Sequence, residues 1–185
     1  EYIDKGFGNV QSLWAVHPDG SGSDHVYKNM VVRPGAMIHV RSVPGSRKLV
    51  SVGVGHHGGL EGPVILLDTR ITRRNSHAMT NLTPEISYPG LFPMTSRGGR
   101  FREPHPFSET FYLVSHNART REKARFGIYM LDAWGNRAAL YQHDRLSCLQ
   151  PTPLRPRPRP AEIAPDERPE RREGRNRATM FLADV

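Results

Sequence analysis

Three times along the chain a short apolar run stops in turn-forming residues, and this pattern restricts the fold more than any other feature. Leu13-Trp14-Ala15-Val16 leads into Pro18-Asp19-Gly20, Val64-Ile65-Leu66-Leu67 into Asp68, and Ile128-Tyr129-Met130-Leu131 into Asp132, Gly135 and Asn136. Each reads as a strand entering a hairpin. The three runs start 51 and then 64 residues apart. A second unit lies between them. Pro44-Gly45-Ser46-Arg47-Lys48 precedes Leu49-Val50-Ser51-Val52, and Pro106-Phe107-Ser108-Glu109-Thr110 precedes Phe111-Tyr112-Leu113-Val114. These are turns feeding strands apolar almost throughout, as expected when both faces of a sheet are covered. In this alignment His105 falls opposite Val43.

Several strands per unit, repeated at roughly 40–50 residues with few helix signals, predict β-propeller blades. Gly and Pro together make 33 of the 185 residues, which favours strands and turns. The expected fold is all-β: an incomplete propeller of two to three antiparallel blades over residues 1–150. A ring closes with roughly four to eight blades, so two alone leave strand edges and apolar faces uncovered. The chain starts at Glu1 without a signal peptide and is read as a segment of a longer protein that does not fold robustly alone.

Composition changes near residue 150. Residues 151–185 form an Arg/Pro-rich linker and tail, opening Pro-Thr-Pro-Leu-Arg-Pro-Arg-Pro-Arg-Pro. Prolines at 156, 158 and 160 favour extended polyproline II, and residues 161–177 hold little to bury and are expected to be mobile. Met180-Phe181-Leu182 is an apolar cluster at a loose end.

The formal net charge is +8, which raises nucleic acid as a partner. Arginines cluster at 70–74, 119–125 and 155–159. The tail nevertheless carries eight Arg against six acidic residues, and no RNP, KH or zinc-finger pattern accompanies the charge. Solvated loops and an acidic protein partner account for it, and nucleic acid is not expected. No run approaches the ~18 apolar residues of a spanning helix, so no membrane span is expected.

His56-His57, flanked by Gly55, Gly58 and Gly59, is the candidate metal or cofactor contact. Imidazole is the commonest metal ligand. Adjacent histidines on a strand point to opposite faces, so both reach one ion only if the chain bends, as glycine permits. The alternative is a Gly-rich loop whose imidazoles bond to backbone carbonyls. His105 is a possible third member. Histidines 17, 25, 39, 77, 116 and 143 form no HxH or HExxH set. Cys148, the single cysteine, excludes an internal disulfide and a CxxCH haem attachment, and packing under a loop is its expected role. No Gly-x-Ser-x-Gly elbow or phosphate-binding glycine motif is present. No catalytic residue is assigned, and whether the parent is an enzyme is left open.

Residues 44–52 resemble the turn–strand unit of TolB-like propellers, and Leu-Trp-Ala-Val-His-Pro-Asp-Gly-Ser-Gly (13–22) is similar to their outer hairpin. A wider series runs in order: Gly-His-His-Gly-Gly (55–59), Leu-Leu-Asp (66–68), Pro-Phe-Ser-Glu-Thr-Phe-Tyr-Leu-Val-Ser (106–115), Ile-Tyr-Met-Leu-Asp-Ala-Trp-Gly-Asn-Arg (128–137), Ser-Cys (147–148) and Pro-Leu-Arg-Pro-Arg-Pro-Arg-Pro (153–160). That series resembles the hydrazine synthase alpha-subunit family. The resemblance implies a secreted or periplasmic multidomain parent, with a propeller region preceding domains that carry c-type haem. It implies a scaffold role here, towards the remaining blades, downstream domains of the same protein, and other subunits. Without CxxCH, no haem is expected within the segment itself. A TolB-like protein-binding module with no redox role is the second implication, and a metal or haem active site using His56 and His57 the third.

Overall fold

The computed structural model describes residues 11–18, 20–28, 31–57, 59–91, 99–118, 125–156 and 159. Among them, ten strands form three antiparallel sheets. The first is a hairpin of β1 (Leu13–Ala15) and β2 (Asp24–Tyr27). The second is a meander of β3 (Ala36–Ser42), β4 (Leu49–Val54), β5 (Val64–Leu67) and β6 (Met79–Asn81), and the third a meander of β7 (Arg100–Pro106), β8 (Phe111–Asn117), β9 (Gly127–Asp132) and β10 (Arg137–Tyr141). The described helix content is one 3-10 turn, Ser76–Ala78. No helix among the described residues is long and apolar enough to cross a membrane.

The three hairpin-forming runs fall on β1, β5 and β9, each paired with the strand that follows it. Aspartates close the turns. Asp68 accepts from the Arg70 backbone N–H at 3.1 Å, and Asp132 accepts from Trp134 and Asn136 N–H groups at 2.9 Å. Burial on both faces explains the continuously apolar strands. Val50, Val52, Val54, Val64 and Leu66 share one face of the second sheet, while Met37, Ile65 and Leu67 point to the other.

The first of these faces packs against the third sheet. Val43, Val50, Val64, Leu66, Leu82 and Ile86 form one core with Phe101, Tyr112, Val114, Tyr129 and Leu131. On the opposite face, Met37, Ile65 and Leu67 pack with Tyr27, Val31 and Ala78, flanked by Leu13 and Val26 of the hairpin. The second sheet is therefore the filling between two others.

Close contact between sheets is built around Gly62, which exchanges two backbone hydrogen bonds with Phe101, both 3.2 Å. A Cβ at Gly62 would stand 1.9 Å from the Gly53 carbonyl oxygen. Only glycine lets the backbone approach that closely.

One alignment made from the sequence is corrected. Counted by strand pairing, His105 lies opposite Leu113 as Arg41 lies opposite Val50, so the counterpart of His105 is Arg41 and not Val43. Pro106 is the last residue of β7, whereas Pro44 follows the end of β3. The connection after β7 is also shorter, four residues (107–110) against six (43–48) after β3, and the two displacements together shift the register. The polyproline stretch and the apolar cluster 180–182 fall mainly or wholly outside the described residues; of the tail, residues 151–156 and 159 are described and carry no regular structure.

Candidate functional site

The first strands of the two four-stranded sheets, each at a sheet edge, share a distortion. β3 and β7 each carry a β-bulge, between Ile38 and Arg41 and between Arg102 and His105. Each bulge holds a non-glycine residue in the left-handed region, His39 at φ 54° and Glu103 at φ 53°. Such positions cost on the order of 1–3 kcal/mol and persist where the surroundings enforce them. Here the two bulges meet. The Glu103 backbone N–H donates to His39 Nδ1 at 3.3 Å, which leaves the His39 proton on Nε2, 4.0 Å from Glu103 Oε1.

A third strained residue completes the cluster. Gln150, at φ 54°, donates its backbone N–H to Glu103 Oε2 at 2.5 Å, and Ser115 Oγ lies 3.5 Å from the same oxygen. The Arg102 guanidinium lies 3.7 Å from Oε1. Glu103 is 6% exposed, so its oxygens find their partners inside the protein. Burial holds the His39 imidazole below its usual pKa; the Glu103 charge opposes this, while Arg102 and Arg41 add to it. The cluster ties together β3, β7, β8 and the segment after β10.

Glu103→Ala removes the acceptor beneath the Gln150 N–H. A hydrogen bond to a charged acceptor contributes about 1.5–3 kcal/mol, and at exposed Gln150 water takes up part of that loss, so about 1 kcal/mol is expected. The variant is expected to lower the urea midpoint accordingly and to speed amide exchange at Gln150, with Glu103→Gln restoring part of both. Unchanged exchange at Gln150 would show that the carboxylate does not hold the segment.

The histidine pair lies elsewhere, just past the end of β4. Its backbone is fixed by the 89–91 segment: His56 N–H donates to Gly90 O at 3.2 Å and His57 N–H to Leu91 O at 2.7 Å. Gly35 permits this approach, since a Cβ there would meet Gly90 O at 2.2 Å. The rings lie 4.4 Å apart, tilted by 57°. The chain does bring both imidazoles together. His56 Nδ1 is buried and has no hydrogen-bond partner among the described residues. Among the described residues no group of three or more His, Cys, Asp or Glu side chains is arranged to hold a metal ion. His105 lies on β7 with its ring 6.2 Å from Phe107. The Cys148 thiol is free and half-buried, and its backbone N–H donates to Phe126 O at 2.8 Å.

Many of the arginines are engaged by carboxylates. Arg70 grips Asp68 through Nε (2.8 Å) and a terminal nitrogen (2.6 Å), holding the Asp68 carboxyl down to about 2. Arg73 reaches Asp24 at 3.2 Å, Arg100 pairs with Glu61, and Arg137 with Glu85. Lys48 and Ser46 both bind Glu109, joining the β3–β4 turn to the β7–β8 turn. Arg155 stacks over Phe107 at 5.8 Å. Of the 119–125 cluster only Arg125 is among the described residues.

Two buried bases carry no local sequence signal. Lys28, fully buried at the end of β2, has its amine pushed down to about 8 by burial. His116 is 2% exposed and lies flat on Phe101, ring centroids 4.1 Å apart, with Nδ1 3.1 Å from Arg100 O. Burial is the main cause that pushes its imidazole down to about 4. No protein family, curated protein or solved structure matches this chain.

Proposed function

We propose that this chain is a propeller segment of a secreted or periplasmic protein similar to the hydrazine synthase alpha subunit. It acts there as a scaffold and interaction surface for a haem-bearing or other partner domain. One observation carries the reading: the face by which the second sheet meets the third has an uncovered counterpart on the third sheet itself. Pairing register sets Leu113, Ile128 and Met130 where Val50, Val64 and Leu66 stand in the second sheet. The latter three are buried in the shared core, whereas Leu113, Ile128 and Met130 are half-buried and Phe111 beside them is exposed. Apolar surface left open at the end of a stack favours a further layer. Trp134, Leu140 and Tyr141, exposed on and beside β10, add contact area at the rim. The family identity rests on the ordered motifs from Gly55 to Pro160.

Hydroxyl-radical footprinting tests the scaffold role, comparing the 185-residue chain with the longer natural polypeptide that contains it. Phe111 and Met130 should be oxidised several-fold less in the longer protein, and haem absorbance there should accompany that protection. Equal oxidation in the two contradicts the scaffold reading. Protection without haem leaves the TolB-like binding module. A second reading draws on the buried, unpartnered Nδ1 of His56 beside His57. It makes the pair a metal or haem contact in the parent, and loss of bound metal on replacing both histidines is its expected result.

A further inference from the structure

The third sheet is followed by a segment that repeats several of the contacts by which β7 sits on the second sheet. Phe101 N–H reaches the Gly62 carbonyl just before β5, and Cys148 N–H reaches the Phe126 carbonyl just before β9. Two residues further on, the backbone N–H of Glu103 donates to the side chain of His39, and that of Gln150 donates to the side chain of Glu103. His39, Glu103 and Gln150 share φ values of 53–54°. The sequences agree from the bulge onward: Glu103-Pro104-His105-Pro106 matches Gln150-Pro151-Thr152-Pro153, with Pro104 and Pro151 both buried. Two differences remain: Phe126 N–H donates to Ser147 Oγ where Gly62 N–H donates to the Phe101 carbonyl, and the edges are paired differently. β7 is paired along its edge with β8, whereas no strand among the described residues pairs with 147–153.

We infer that residues 147–153 are the innermost strand of a further sheet, and that their free edge is a docking site for one added antiparallel β-strand. The partner it fits is an extended segment resembling β8, with large apolar or aromatic side chains alternating along one face. Arg102 and His105 face Ser115 and Leu113 of β8; the corresponding positions, Leu149 and Thr152, are exposed. Backbone hydrogen bonds along such an edge supply affinity, and alternate side chains supply selectivity. The added strand would lay its apolar side on Leu113, Ile128 and Met130. In the second sheet that same ground, Val50, Val64 and Leu66, lies under the third sheet. Prolines at 151 and 153 do not bar the pairing, because β7 pairs with β8 with prolines at the same two positions. This inference deepens the stacked-sheet reading above and rests on it.

The test uses a fluorescent peptide with the sequence of residues 110–118 added to the 185-residue chain, with anisotropy and residue-resolved hydrogen exchange as readouts. Saturable binding is expected, with exchange within 147–153 slowed at least tenfold. N-methylation of alternate peptide amides should abolish binding in one phase of the alternation and spare it in the other, since only one edge of the peptide faces the protein. No binding, binding indifferent to both methylation patterns, or protection at β1 or β10 instead of 147–153 overturns the inference. If binding fails while Phe111 and Met130 remain shielded in the longer polypeptide, strand addition falls and the stacked-sheet reading stands.

Discussion

Phe101→Ala is expected to destabilise the packed sheets by about 3–5 kcal/mol, the usual range for deleting a fully buried aromatic ring. Phe101 is 0% exposed and belongs to the core shared by the second and third sheets. One side of its ring carries His116 at 4.1 Å; the Arg137 guanidinium lies within 5.4 Å. Its backbone makes the two-bond bridge to Gly62. Alanine keeps the bridge and removes the ring, so the lost stability reports packing alone. Urea titration followed by tryptophan fluorescence and far-ultraviolet circular dichroism measures it. A loss below 1 kcal/mol would mean that the two sheets do not depend on their shared core.

Acidification is expected to weaken the same place. His116 has a folded pKa of about 4 against an ordinary 6.5, because burial disfavours the charged ring. A base whose pKa falls on folding contributes stability that is complete above the unfolded value and lost as pH drops towards the folded one. The window is therefore pH 6.5 down to about 4, and the change is on the order of 3 kcal/mol across it. The Arg100 carbonyl and Glu85 oppose the shift, while Arg137 adds to it. His39 moves in the same direction. The carboxylates of Asp68, Glu109 and Asp132, all held below their usual values, add their losses at lower pH. Unfolding free energies measured at intervals from pH 7.5 to 4 should fall throughout, and His116→Gln should flatten the upper part of the curve. A flat profile for the unsubstituted protein would contradict the burial of His116.

Much of the strand framework was legible because its signals are local. Apolar runs closed by Asp68 and by Asp132-Gly135-Asn136 require only neighbouring residues to form their turns, and they mark β5 and β9. The bulges carry no such signal. His39, Glu103 and Gln150 adopt a backbone conformation ordinarily announced by glycine, and it is enforced by contacts made across sheets. The linker boundary at residue 150 was drawn from proline content; at that point Gln150 donates to Glu103 and Pro151 is buried. The similarity of Glu-Pro-His-Pro to Gln-Pro-Thr-Pro was present in the sequence, but proline suggested a break instead of the shared left-handed position at Glu103 and Gln150. At the histidine pair, the flanking glycines were read as permitting a bend or a bound ligand, whereas the close backbone approach is made at Gly35. The partner of that approach, the 89–91 backbone, lies more than thirty residues away and had no marker.

Residue-resolved hydrogen exchange of the 185-residue chain at neutral pH tests most directly whether each sheet docks an inner strand onto the bulge of the one before it. Cys148 and Gln150 amides should exchange slowly, within about tenfold of Phe101 and Glu103, while Thr152 exchanges fast for want of a neighbour. Fast exchange at both Cys148 and Gln150 beside protected Phe101 and Glu103 would show that the series ends at the third sheet.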